Sequence, residues 1–141
     1  MRFQNRRRAL RILSWWVLLA QVSALSPLAH ANPRGGVVVG GSASIDQPSS
    51  SLTTVRQCTD RAVINWQGFS NAAGESVKFV QPGATSAMLN RVTGNEASVI
   101  NGAMSANGRV FLINPNGVLF GKTAEGSTGG LVASSLGMKE A

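Results

Sequence analysis

The sequence contains no tyrosine, one histidine (His30) and one cysteine (Cys58), and only 13% of its residues are charged. Each scarcity removes a class of chemistry. A lone thiol cannot close an internal disulfide, so the chain must hold its fold by packing and hydrogen bonds. The expected state of Cys58 is that of a small buried or half-buried residue rather than a redox centre. His30 lies in a segment read below as a removable leader, which leaves no imidazole for acid–base work or metal ligation. The acidic residues are Asp46, Asp60, Glu75, Glu96, Glu125 and Glu140. None are adjacent and none share an i, i+2 strand face, the arrangement that would pair carboxylates for glycoside chemistry. The Gly-rich stretches lack the Gly-Lys-Ser/Thr ending of a phosphate-binding loop. The expectation is a protein that is not an enzyme, with no catalytic residue, no cofactor and no metal site.

Acidic residues are also scarce relative to basic ones, giving a formal net charge of +7 and a pI near 11.4. That balance points to nucleic acid until its distribution is examined. Arg2, Arg6, Arg7, Arg8 and Arg11 all lie at the extreme N-terminus, and without them the net charge falls to +2. The other basic residues are scattered, with no stripe and no interleaved aromatics, so no nucleic-acid partner is expected.

The arginines instead open a three-part secretory signal. They form its positive region, an apolar core begins at Ile12, Pro27 breaks any helix, and Ala29-His30-Ala31 is a small-x-small cleavage site. The expected cut follows Ala31 and leaves Asn32 at the mature N-terminus. The apolar core is shorter than the ~20 residues of a comfortable membrane span. Residues 1–31 are thus read as a cleavable signal peptide, which implies a chain addressed to the export (Sec) machinery.

What the sequence has in quantity is glycine (16 residues) and short β-prone runs between turn residues. Val37–Val39, Ala43–Ile45 and Leu52–Gln57 come first, with Gln47–Ser51 assigned by composition to a turn or loop. Then follow Ala62–Trp66, Ser76–Val80, Ala87–Val92, Ala97–Asn101, Val110–Ile113, Val118–Phe120 and Leu131–Ser134. The spacers, among them Thr93-Gly94-Asn95 and Gly126–Gly130, carry turn chemistry. No stretch sustains a helical period. Strands at this spacing suit a sandwich, a barrel or a parallel solenoid, and composition does not choose among them. Alternation places Ile64 and Trp66, Val77 and Phe79, and Val110 and Leu112 on an inward face, with Lys78 outward. Trp66, Phe69, Phe79, Phe111 and Phe120 are expected in the core.

The most informative stretch is Asn107–Gly121, which reads as strand, turn, strand. Asn114, Pro115, Asn116 and Gly117 form the turn. Pro115 presets φ for the second position of a type I turn, the Asn114 side chain can bond the backbone ahead, and Gly117 accepts the left-handed conformation.

The ten residues Leu112-Ile113-Asn114-Pro115-Asn116-Gly117-Val118-Leu119-Phe120-Gly121 resemble the signature of the filamentous haemagglutinin-type secretion domain (haemagglutination activity domain). This is the N-terminal part of exoproteins in bacterial two-partner secretion (TPS). Arg61–Phe69, Val77–Pro82, Leu89–Gly94 and Ser105–Gly108 follow the family's order, and the match spans residues 34–138. The chain departs from many members in lacking a second tetrapeptide, Asn-Pro-Asn-Leu. The resemblance implies an all-β fold: a right-handed parallel β-helix (β-solenoid), with residues 32–60 as an N-terminal antiparallel cap and 61–141 as the β-helix secretion domain. Its ending suggests a C-terminally truncated solenoid. The resemblance further implies a secreted or surface location reached through the periplasm. The partner would be a cognate outer-membrane β-barrel transporter acting through its periplasmic domains, with Asn114–Gly117 as the motif that matters to secretion. The alternative is a small surface adhesin that meets the host-cell surface by itself, through glycans or receptors.

Overall fold

The computed structural model describes residues 31–136. Ala29 and the rest of the expected leader before Ala31, and the last five residues, lie outside them. Among the described residues every regular element is a strand. These are β1 (Val37–Gly40), β2 (Ala43–Ser49), β3 (Leu52–Gln57), β4 (Arg61–Trp66), β5 (Ser76–Val80), β6 (Ala87–Val92), β7 (Ser98–Ile100), β8 (Ala103–Ala106), β9 (Arg109–Ile113), β10 (Val118–Phe120), β11 (Glu125–Ser127) and β12 (Gly130–Ser134).

The strands wind into a β-solenoid of about four turns. One face is the sheet β1-β4-β6-β9-β12, a second is β11-β8-β5-β3-β2, and the third is the short pair β10-β7. Pairing between successive coils is parallel and in register. Arg61 lies beside Ala87, Ala87 beside Arg109, and Arg109 beside Gly130. The third face begins one coil earlier as a parallel bridge between Asn71 and Ile100. Direction reverses at the N-terminal end, where β1 runs antiparallel to β4 and β2 antiparallel to β3. Those two strands cover the first coil, whose outer edge would otherwise expose unpaired backbone.

Alternation along the parallel strands builds the core. Ile64, Trp66, Val77, Phe79, Val110 and Leu112 point inward and are buried, whereas Lys78 between Val77 and Phe79 is exposed. Trp66 and Phe69 meet edge to face, with ring centroids 5.5 Å apart. Asn90 occupies the inward column between Ile64 and Leu112 and is fully buried. It is tolerated because its Oδ1 accepts from Trp66 Nε1 at 2.9 Å and its Nδ2 donates to the Phe111 carbonyl at 3.3 Å. Both polar groups of the pair are thereby satisfied away from water.

Four expectations need correction. The segment Gln47–Ser51 is not all loop, because β2 runs through Pro48 to Ser49. Proline fits there since β2 is the outermost strand of its sheet and the register shifts between Asp46 and Ser49. Strands β8 and β11 have no counterpart among the β-prone runs: Ala-Met-Ser-Ala and Glu-Gly-Ser lack β-branched residues, and pairing with the neighbouring coil sets their conformation. Cys58 is exposed, at the corner after β3, beyond the inward-turned Gln57. Phe120 is 49% exposed, and Phe111, on the outward side of β9, is half-buried. Phe120 faces an open cleft of about 260 Å³ at the C-terminal end of the solenoid, shared with Ile100, Met104, Ala124 and Leu131, where no further described coil covers it.

Candidate functional site

The turn singled out in the sequence joins β9 on one face to β10 on the next. Asn114 O accepts from Gly117 N–H at 3.0 Å, closing a four-residue turn around Pro115 and Asn116. Asn114 Oδ1 accepts from Asn116 N–H at 2.9 Å, the side-chain bond that favours Asn at this place. Gly117 has φ of +112°, a region that residues with a Cβ rarely adopt. A methyl added there would meet nothing nearer than Ala97 Cβ at 3.9 Å, so backbone conformation rather than space is what demands glycine.

The turn also clasps the coil behind it. Asn114 is wholly buried, and its Nδ2 donates to the Glu96 carbonyl at 2.9 Å and to Ser98 Oγ at 3.0 Å. Asn116 Nδ2 donates to the Gly94 carbonyl at 2.7 Å. Ser98 N–H returns a bond to Gly117 O at 2.9 Å and starts the parallel pairing of β7 with β10. On its other side Asn114 N–H donates to Ser134 O at 2.9 Å, in the next coil. One residue thus contacts three successive coils. Pro115 and the body of Asn116 remain exposed on the outside.

The clasped segment is tied to the N-terminal end as well. Thr93 donates to the Trp66 carbonyl from both N–H (2.8 Å) and Oγ1 (3.1 Å). Arg34 pairs with Glu96 at 3.2 Å, an exposed contact of small energetic weight. Ala31 and Asn32, the residues flanking the expected leader cut, lie in part-buried positions nearby, on the wall of a cleft of about 440 Å³ that also includes Arg34 and Glu96.

The structure therefore unites Asn114, Pro115, Asn116 and Gly117 in one turn and adds Gly94, Glu96 and Ser98, which sequence reading did not select. The marks of a turn at Thr93–Asn95 are visible in the sequence, but nothing there links this segment to Asn114 and Asn116, whose bonds to it span 16 to 22 residues. The dispersed carboxylates stay apart: among the described residues no group of three His, Cys, Asp or Glu side chains converges on one point. Asp60 accepts from Ser86 Oγ at 3.1 Å, and Glu75 is buried elsewhere.

A parallel solenoid capped by antiparallel strands, with an Asn-Pro-Asn-Gly turn clasped to the coil behind it through the buried Asn114, places the chain in the class of parallel β-helix proteins. Comparison makes the class definite. The family model of the TPS secretion domain matches residues 54–139, and the chain belongs to that family, the secretion domain of two-partner secretion exoproteins. The family is a secretion domain rather than an enzyme family. The crystal structure of the HMW1 secretion domain from Haemophilus influenzae is similar, with 42% identity and a TM-score of 0.72 over 77% of this chain and 28% of that one. Two proteins of Haemophilus influenzae, each named Heme/hemopexin-binding protein, are 37% and 38% identical over 89% and 73% of this chain. The chain spans only 14% and 11% of their lengths.

Proposed function

We propose that the chain enters the periplasm by way of the leader in residues 1–31, is recognised there by the periplasmic domains of a cognate outer-membrane β-barrel transporter, and nucleates β-helix folding outside the cell. The observation that carries this reading is the Asn114 clasp. A residue whose side chain holds the coil before it and whose backbone N–H holds the coil after it fixes register at the point where one turn of the solenoid hands over to the next. Because Asn114 is buried, its contribution runs through folding; a partner could touch only Pro115 and Asn116. At the N-terminal end, docking by strand addition has two edges available, β1 and β2, and β1 carries the exposed valines Val37 and Val39. Once a coil has folded outside, it cannot slide back through a narrow pore, so folding biases export without a nucleotide.

The test is secretion of the chain with and without its transporter, for the wild type and for Asn116→Ile. Transporter-dependent appearance in the medium, reduced by Asn116→Ile, supports the reading. Equal appearance without the transporter would remove it. Host-cell or glycan binding by the purified chain would instead favour a direct adhesive role.

A further inference from the structure

Glu75 is a carboxylate with only 5% of its surface exposed, placed just before β5. Its Oε1 accepts from two backbone groups, Ala72 N–H at 3.0 Å and Ala31 N–H at 3.2 Å. Its Oε2 has no partner. Among the described residues one other buried side-chain atom is in that position: Oδ1 of Asn32, the residue next to Ala31. One orphaned acceptor thus belongs to the carboxylate that holds Ala31 N–H and the other to Asn32, and Ala31 and Asn32 flank the peptide bond at which the leader is expected to be cut.

Buried acceptors left without a donor are costly, and a buried carboxylate more so than an amide. What both oxygens lack is a donor with several protons. Cleavage after Ala31 creates one. It removes the neutral Ala31 N–H and leaves an α-ammonium on Asn32, with three protons and a positive charge. The new group lies no more than one residue, about 3.6 Å of chain, from the nitrogen that already touches Glu75. It also lies on the same residue as Asn32 Oδ1. We propose that Glu75 is the receptor for the mature N-terminal ammonium, so that leader removal completes the N-terminal end of the solenoid. This rests on the cleavage position in the export route proposed above. It adds that the unprocessed chain presents a neutral amide where the processed chain presents a cation, and so folds less stably at that end.

The charged groups on the cleft that Ala31 and Asn32 line are Arg34 and Glu96, which are exposed and paired with each other. They leave Glu75 as the buried charge facing the new terminus. The sign of the effect is diagnostic. Burial alone would lower the pKa of an amine, whereas a carboxylate partner raises it. A raised value means stabilisation that is complete below the ordinary α-amino range of about 7.7–8.0 and lost as pH climbs through the raised value.

The experiment uses the full chain, exported with its own leader in a Gram-negative host and purified after processing. Mass spectrometry locates the N-terminus, and the pH dependence of α-amine acylation gives its pKa. The expected result is a chain beginning at Asn32 whose α-amine titrates about one unit or more above the ordinary range, with about tenfold slower labelling at neutral pH. In Glu75→Gln the value should return to the ordinary range or below. Acetylating the α-amine of the wild-type chain should lower Tm and should leave Tm unchanged in Glu75→Gln. That wild-type comparison keeps the test decisive should the substitution impair folding. A chain starting elsewhere would overturn both the cut position and the pairing. A chain starting at Asn32 with an ordinary or depressed value, or one raised equally in Glu75→Gln, would overturn the pairing and leave the export route standing.

Discussion

Asn114 and Ser98 hold each other across adjacent coils: the Asn114 side chain donates to Ser98 Oγ at 3.0 Å, and Ser98 N–H donates to the carbonyl of Gly117, in the same turn, at 2.9 Å. This reciprocity turns a local turn into a register lock. The β10–β7 face is only three residues long on each side, too short to set its own register by side-chain packing. The Asn-Pro-Asn-Gly turn supplies what the short strands cannot.

The first prediction separates the buried from the exposed half of that motif. Asn114→Ala strips the donor from the Glu96 carbonyl and Ser98 Oγ and the acceptor from Asn116 N–H. It should destabilise the domain by about 3 kcal/mol in chemical denaturation, since each stranded buried group costs roughly 1–3 kcal/mol and neighbours relax in part. Asn116→Ala loses the Nδ2 bonds to the Gly94 carbonyl at 2.7 Å and to Asn114 Oδ1 at 3.0 Å, at an exposed residue, and should cost about 1–2 kcal/mol. Pro115→Ala touches only chain stiffness and should cost under about 1 kcal/mol. Equal losses at all three positions would show that burial does not rank them.

Gly117→Ala tests the backbone alone. The added methyl has room, so the whole effect is the positive φ, worth about 1–2 kcal/mol. Gly117→Asn should recover part of the loss, because Asn tolerates left-handed conformations better than alanine. A neutral Gly117→Ala, measured by urea unfolding, would mean that the turn relaxes to a different conformation.

The strand runs were legible because β-branched and aromatic residues gather between turn residues in β4, β5 and β9, alternating with polar ones at the start of β5, and the turn was legible because Asn, Pro and Gly each have a local mechanism. What was hidden is what depends on the neighbouring coil. Ala103–Ala106 and Glu125–Ser127 become strands only because a paired coil presents its hydrogen-bonding edge. Gly94, Glu96 and Ser98 join the site through contacts distant in sequence, two of them backbone carbonyls with no side-chain signature. Pro48 misled for the opposite reason: its local meaning is a break, and the open outer edge of β2 makes the missing N–H harmless. The architecture itself was chosen by the resemblance of Leu112–Gly121, since strand spacing alone fits several β folds.

The buried Trp66–Asn90 pair yields the third prediction. Trp66→Phe leaves Asn90 Oδ1 without its donor, and Asn90→Leu leaves the indole N–H without its acceptor. Each single change should cost about 2–3 kcal/mol, the penalty of a stranded buried group plus altered packing. The double variant should cost less than the sum of the two by about 1 kcal/mol or more, because the Trp66–Asn90 bond is already lost in either single variant. Additive losses in such a cycle would show that packing, not the hydrogen bond, holds this column together.

The middle and the C-terminal end of the solenoid core should answer differently to the loss of an aromatic ring. Phe79 is 2% exposed, in β5, with parallel neighbours β3 and β8 on either side. Phe79→Ala should cost about 3–5 kcal/mol, a large share of the 5–15 kcal/mol that stabilises a domain of this size. Phe120 lies on the open cleft in β10, which has one partner strand, and is already half in water. Phe120→Ser should cost about 1 kcal/mol or less. It should also lessen self-association, because exposed apolar surface at an open strand end favours contact between chains. Thermal unfolding gives the stabilities, and light scattering at rising concentration gives the association. A loss at Phe120 as large as that at Phe79 would mean that the cleft is closed in solution, with the apolar ring covered as fully as those in the middle of the solenoid.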